Sequence, residues 1–506
     1  MRKPLCYAWL EWNPANYLYY LANRRKLPLL FGFLCAKILI RLRILYSKRR
    51  KWNENDGNTR KDLRRKVRYD MNKWQEMYQA KLTTPEGVAM HVKSGDVCAC
   101  PTGLEEPAVI CNAIGERARK GELTGVQHHG ILASKKGSAF MDPALKGKYD
   151  YVSWFTGGAG RKVVQQGIYT YVPNNYSTVP GYWRECMPAL NVFYCQVSPM
   201  DKHGYFTAGM AAAEVPAMKE KADIILLEVN DKMPRVMGNN LIHISEVTAL
   251  CEISEELITL PETELTDIDK KIGGMIAAEV PNGATIQLGI GGVPNAVGVL
   301  LREKTDLGIH TEMFTDSMVD LIECGAVTNM KKPIHIGKTI ATLAMGSKKM
   351  YDFMDDNPAF ELHPVDYTNN PYVIGQHDNF ISVNACVEID LFGQVCAESL
   401  GTTHYSGSGG QVDFVRGANL SRGGKGFIAM TSTAKNGQIS KIKPILTPGS
   451  IVTTSKNEVD FLVTENNIVR LKGKNASDRA KLIISLAAPE FREELTFEAK
   501  KMNLIV

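Results

Sequence analysis

From Trp74 onward, apolar and polar positions fall into short blocks that switch between helical and strand period. Trp74–Tyr78 opens a helix, and 84–95 carries a second that ends at glycine. Asp96–Cys100 reads as a first short strand, and strand-like runs recur at Val163–Val164, Val192–Val197 and Ile224–Val229. Helical or glycine-containing stretches such as Phe155–Gly160 separate them. Alternation of this kind predicts an α/β fold with parallel sheets covered by helices. No repeat of fixed period and no low-complexity linker interrupts it.

The pattern is most informative between Ala284 and Ile322. Ala284–Ile290 has the apolar and β-branched content of a buried strand, breaks at Gly291-Gly292, and continues into a helix whose first turn holds Pro294. Then Leu307, Ile309, Thr311 and Met313 alternate with Gly308, His310, Glu312 and Phe314, so one strand is expected with His310 and Glu312 on the same face. Thr315-Asp316 starts the next helix, through Met318, Leu321 and Ile322. Glu312 is thus expected at the carboxyl end of a strand, where ligands collect in open α/β sheets. A turn without side chains just before a helix lets a ligand approach the backbone, and its N–H groups suit an anion or a developing oxyanion.

Further on, Phe380–Phe392 alternates as one long half-buried strand, with Ser382, Asn384, Cys386, Glu388 and Asp390 on its polar face. Glu388 and Asp390 rival Glu312 as candidate carboxylates, although their mid-strand position suits structural hydrogen bonding. A second glycine loop, Tyr405–Phe414, is followed by a strand at Phe427–Met430, and amphipathic helices at Ser477–Leu486 and Ala488–Leu495 close the chain.

Charge alters the picture at one end. The 506 residues carry a net +6, but residues 1–70 hold 18 Lys and Arg against 5 Asp and Glu, leaving 42 against 49 in the remainder. The body is mildly acidic, which gives no support to nucleic acid as a partner. The basic segment also contains the apolar run Leu27–Ile40, interrupted by Lys37 and too short for a comfortable membrane span. It lacks the order of a secretory signal. Residues 1–70 are therefore expected to be an extension outside the functional enzyme, with translation beginning at Met71; an interfacial anchor is the alternative. Eleven cysteines without repeated spacing suggest reduced thiols in a cytoplasmic protein. No His-Glu-x-x-His pair is present, and no metal site is expected.

Five segments, in order, carry a resemblance: SPMDKHGYF (198–206), QLGIGGVPNA (287–296), HTEMFTD (310–316), NACVEIDLFGQ (384–394) and GGQVDF (409–414). Together the stretch from Met71 resembles the acetyl-CoA hydrolase/CoA-transferase family, and within it the butyryl-CoA:acetate and 4-hydroxybutyrate CoA-transferases. The resemblance implies two open α/β domains of the CoA-transferase type with mostly parallel sheets, here 71–300 and 301–506. It implies that Glu312 becomes covalently attached to CoA, and that Gln287, Leu288, Gly289, Ile290, Gly291, Val387 and Gly410 contact CoA. The expected substrates are a short-chain acyl-CoA and a carboxylate such as acetate, with no permanently bound cofactor, and a homo-oligomer is expected. Transfer or hydrolysis on this fold remain the two enzymatic readings. A dinucleotide-binding turn at Gly289-x-Gly291 is disfavoured, because Pro294 stands where the third small residue belongs. A non-catalytic membrane-associated protein would rest on residues 1–70 alone.

Overall fold

The computed structural model describes residues 73–133, 138–167, 169–261 and 264–505. The basic segment, its apolar run and the expected start at Met71 lie outside them. Residues 71–506 group as one compact unit.

Two sheets form the frame. The first contains seven strands, all parallel: in spatial order Thr170–Tyr171, Tyr149–Phe155, Val126–Ile131, Val97–Ala99, Val192–Val197, Ile224–Asn230 and Ala249–Ile253. The second runs Gly308–Ile309, Thr285–Leu288, Ile381–Ala385, Lys425–Ala429 and Phe461–Thr464 in parallel, with Asn467–Arg470 returning antiparallel at its edge. The sheets part between Ile253 and Thr285, upstream of the 300/301 division drawn from the sequence.

Both faces of each sheet are covered, which explains strands that read as near-continuous apolar runs. On the first sheet Val192 and Tyr194 pack under Ile110, Cys111 and Ile114 of the helix Ala108–Arg119. Phe193, Cys195 and Val197 face Trp183, Val215 and Met218 on the other side. On the second, Ile286, Leu288 and Val383 pack against Ile272, Ile276 and Val297, while Ile428 and Leu462 meet Ile483 and Leu486. The core containing Ile286 also takes in Leu104, Met210 and Val236 from connecting segments of the first half of the chain.

Three local expectations are corrected. Val163–Val164 lies in a short helix, Arg161–Gln165, opened by Gly160 rather than extended. The long strand over 380–392 breaks at Cys386–Val387 into Ile381–Ala385, a central strand of the second sheet, and Glu388–Asp390, which joins a separate small sheet. Alternation survives such a break because each half keeps its own period. The run Leu307–Phe314 is likewise two strands, Gly308–Ile309 and Met313–Phe314. No described helix is long and apolar enough to cross a membrane, and the nine described cysteines are free thiols.

Candidate active site

Glu312 lies in the gap between those two short strands. Gly308–Ile309 pairs with Thr285–Leu288 at the edge of the second sheet. The chain then leaves that sheet: the Thr311 N–H donates to the Ile340 carbonyl at 3.0 Å, and the N–H groups of Thr342 and Leu343 both donate to the Glu312 carbonyl at 3.1 Å. Met313–Phe314 continues beside Leu343–Ala344. These bonds hold the backbone at a change of sheet, so the Glu312 side chain is presented from a fixed frame.

Because the strands are parallel, their carboxyl ends gather on one edge. There Leu288, Ile309 and Val383 lie in adjacent strands, followed by the glycine turn, Glu312 and the Cys386–Val387 break. Gly291 has φ +121°, a conformation reserved for glycine, and caps the helix Gly292–Leu300. Ile290 beside it is 56% exposed. The Gln287 side-chain oxygen accepts from Ser382 Oγ at 2.8 Å, the Gly289 N–H donates to the Val383 carbonyl at 3.0 Å, and the Val387 N–H to the Cys396 carbonyl at 2.8 Å. Those groups are committed to the fold. Ile290 and Gly291 donate to no carbonyl among the described residues, nor does Gly292 at the start of the helix, so N–H groups are available in this turn.

The other wall comes from residues far away in sequence. Asn369 Nδ2 donates to Glu312 Oε2 at 2.6 Å, and the Gly410 backbone beside this carboxylate also favours its ionised form. A Cβ on Gly410 would fall 2.0 Å from Oε2 and 2.3 Å from Asn369 Nδ2, so only glycine permits the approach. Gly410 caps the helix Gln411–Leu420, whose amino end favours negative charge. His310 reaches the same segment: its Nε2 lies 2.7 Å from the Thr368 carbonyl, adjacent to Asn369, and its ring is 4.9 Å from that of His377. The expected shared face of His310 and Glu312 thus survives the break in the strand. Burial holds the His310 imidazole well below its ordinary pKa, with His377 and Lys332 adding to the effect.

Glu312 is half-buried and stands near two buried carboxyls that sequence reasoning gave no role. Asp413 accepts from the Ser177 N–H at 3.0 Å and from Ser177 Oγ at 2.8 Å, and the Asn369 amide lies against it as well. Glu214 faces Thr102 Oγ1 at 3.3 Å, which in turn lies 2.6 Å from the Tyr176 hydroxyl. Burial raises Glu312 to about 7; the charges on Asp413 and Glu214 add to the rise, while Asn369 and Gly410 oppose it. Burial likewise raises Glu214 to about 7 and Asp413 to about 6. The result is an acid poised to change charge near neutral pH, with the Asn369 amide donor aimed at Oε2.

The rival carboxylates are used by the fold. Glu388 accepts from the Thr447 N–H, Thr447 Oγ1 and Ser450 Oγ at 2.7–2.9 Å. Asp390 accepts from the N–H groups of Phe392 and Gln394 and from Gln394 Nε2, closing its own turn. Asn369 was missed because the polar stretch 362–370 reads simply as a turn. Asp413 sat within a matching segment, but spacing alone does not show which side chain it faces.

Two family models match the chain. Residues 63–261 match the acetyl-CoA hydrolase/transferase N-terminal domain, and residues 346–499 match the C-terminal domain. The chain belongs to the acetyl-CoA hydrolase/transferase family. The match starts at residue 63, somewhat upstream of the expected Met71, and Glu312 falls between the two matched regions. This family member is 46% identical over 436 residues to a succinyl-CoA:cyclohexane-1-carboxylate CoA transferase of Geobacter metallireducens, covering 85% of this chain and 98% of that one. It is 41% identical to a 4-hydroxybutyrate coenzyme A transferase of Clostridium kluyveri, covering 85% and 99%. RipA from Yersinia pestis superposes with a TM-score of 0.82 at 38% identity, over 85% of this chain and all of that one. Relatives at this level over most of the chain are CoA-transferases, and the protein is an enzyme of that kind.

Proposed function

We propose that the enzyme moves CoA between a short-chain acyl-CoA, of the butyryl or 4-hydroxybutyryl type, and a carboxylate such as acetate, with Glu312 as the nucleophile. The observation that carries this reading is the Glu312 carboxyl held by Asn369 and Gly410 at the carboxyl edge of parallel strands. Glu312, ionised, attacks the thioester carbonyl; the C–S bond breaks, CoA leaves as thiolate, and an acyl-glutamyl anhydride remains. The thiolate then attacks the glutamyl carbonyl, releasing the donor's carboxylate and leaving a glutamyl-CoA thioester. The acceptor carboxylate reverses both steps, which makes the kinetics ping-pong. CoA enters as substrate, with no permanently bound cofactor, and the free N–H groups of Ile290 and Gly291 are its backbone contacts in the glycine turn. A cytoplasmic homo-oligomer completes the reading. Names among the relatives include cyclohexane-1-carboxylate, 4-hydroxybutyrate and acetate, which supports a carboxylic acid as acceptor class.

The test is adduct capture. Incubation with butyryl-CoA alone should leave a CoA adduct that borohydride or hydroxylamine converts to a modified peptide containing Glu312. Glu312→Gln should abolish adduct and turnover, whereas Glu388→Gln should lower stability and keep the adduct on Glu312. An adduct on another residue, or a fully active Glu312→Gln enzyme, removes Glu312 from this role. CoA release at the same rate without acetate would make the enzyme a hydrolase.

A further inference from the structure

The described residues hold a group of metal-ligand type away from the carboxylate site. One ligand atom each from His335, Glu361 and His363 lies within 4.8 Å of the others. Sequence spacing alone could not reveal it, because it is the pairing of two strands that brings His335 beside Glu361 and His363. Glu361 belongs to the strand Phe360–Leu362, and His363 follows two positions later on the same face. His335 enters from the loop before Thr339–Ala341, the partner strand, and holds a left-handed backbone at φ +53°. A histidine without glycine's freedom is uncommon there, so the loop is held in a specific shape.

The hydrogen bonds around the three residues orient them as ligands. Lys338 Nζ binds Glu361 Oε1, leaving Oε2 turned toward His363 Nε2, 3.0 Å away. His335 Nε2 lies 2.7 Å from the Tyr367 hydroxyl, which leaves its Nδ1 for a metal. Ligating histidines typically use their second ring nitrogen in this way, and ligating carboxylates are themselves hydrogen-bonded. Donors at about 2.0–2.2 Å from a zinc-type ion stand roughly 3.3–3.5 Å apart in a tetrahedron, so the set needs a contraction of roughly 1 Å. All three residues are only partly buried, beside an open groove lined by Met237, Gly238, Asn239 and Pro358. Side chains there can close the gap, and the groove leaves room for a fourth, exogenous ligand. Lys338 and Lys332 are the competing cations: Lys338, its side chain 40% exposed, engages only Oε1, and the buried Lys332 acts on Glu361 and His335 through charge alone.

We propose that His335, Glu361 and His363 bind a divalent transition-metal ion of the zinc type through two imidazole nitrogens and one carboxylate oxygen. The site stands close behind Glu312. Thr342 Oγ1 donates to the His363 carbonyl at 2.8 Å while the Thr342 N–H donates to the Glu312 carbonyl, and Tyr367 lies two residues before Asn369.

The experiment uses tag-free full-length protein stripped with a chelator, then titrated with Co²⁺ by visible absorbance and with Zn²⁺ by calorimetry. One equivalent should bind with the d–d spectrum of a four-coordinate N/O site. His335→Ala and His363→Ala should each weaken binding at least tenfold, with Glu361→Gln as a third variant should either histidine change prevent folding. Glu312→Gln should leave affinity unchanged, which places the ion away from the carboxylate site. Absence of stoichiometric binding by folded wild type, or affinity that survives each ligand substitution in folded protein, overturns the assignment.

Discussion

Replacing Asn369 by leucine tests the electrostatics of the proposed nucleophile most directly. Leucine keeps nearly the same volume but removes the N–H that lies 2.6 Å from Glu312 Oε2. A hydrogen bond to a charged group contributes about 1.5–3 kcal/mol. At about 1.36 kcal/mol per pH unit, losing it moves the carboxyl upward by roughly one to two pH units. From a starting value of about 7, the ionised fraction at pH 7 falls from about one half to roughly one to ten per cent. Attack needs the ionised form, so activity rises with pH through this value. The acid limb of kcat/KM for the acyl-CoA should therefore shift to higher pH by the same one to two units, with activity at pH 7 down roughly five- to fiftyfold and recovering towards pH 9.

Asp413→Asn supplies the opposite sign. Its charge adds to the rise at Glu312, so removing it should move the limb to lower pH. The assay is a pH profile of initial rates at low acyl-CoA, with saturating acetate, for wild type and both variants. An Asn369→Leu limb that stays in place or moves to lower pH would refute the assignment of Asn369 as the donor that keeps Glu312 ionised.

Two further outcomes follow from the same geometry. Gly291→Ala and Gly291→Val should each lose about 1–3 kcal/mol of stability from the φ of +121°. Open space surrounds the added Cβ, so the larger valine should raise KM for acyl-CoA beyond alanine only if the ligand approaches this backbone; equal KM values would remove the turn from the site. For Glu214, a folded value of about 7 against an ordinary 4.5 means that its protonated form is favoured in the fold. Its contribution is fully present below pH 4.5 and is lost as pH rises through 7, at a cost of about 3 kcal/mol. Thermal melts of Glu214→Gln and wild type should therefore diverge between pH 5 and pH 8 in favour of the variant, and a constant difference would show that Glu214 is not held protonated.

How much of this could be read from the chain depends on the range of the forces involved. Val192–Val197 and Ile224–Asn230 were legible because strands buried on both faces must be apolar throughout. The helix Asp316–Glu323 was legible from its apolar period after Thr315, although the Thr315 side chain makes no capping bond, and Glu312 falls between two short strands instead of at the end of one. Val163–Val164 misled because two β-branched residues suit a strand by propensity, and packing overrode it. The breaks at His310–Glu312 and Cys386–Val387 were hidden for a different reason: leaving one sheet for another keeps the alternation of apolar positions on both sides. Asn369, 57 residues from its carboxylate, has no local signature at all.

That distant donor also explains how one carboxyl can serve both halves of the proposed reaction. A nucleophile needs charge, whereas a glutamyl thioester needs exclusion of water to survive until the acceptor arrives. Burial serves the second need and opposes the first, which is why Glu312 stands near 7 instead of its ordinary range. The Asn369 amide eases the conflict by bonding the carboxylate oxygen directly, and the Gly410 backbone favours the ionised form as well. In the proposed attack of CoA thiolate on the glutamyl carbonyl, negative charge would develop on a glutamyl oxygen, and the Asn369 donor already placed at Oε2 would not need to move to receive it. One such donor is worth roughly 3 kcal/mol of transition-state stabilisation. The side chain missing from Gly410 is what allows that placement, since a Cβ there would fall 2.0 Å from Oε2 and clash with it.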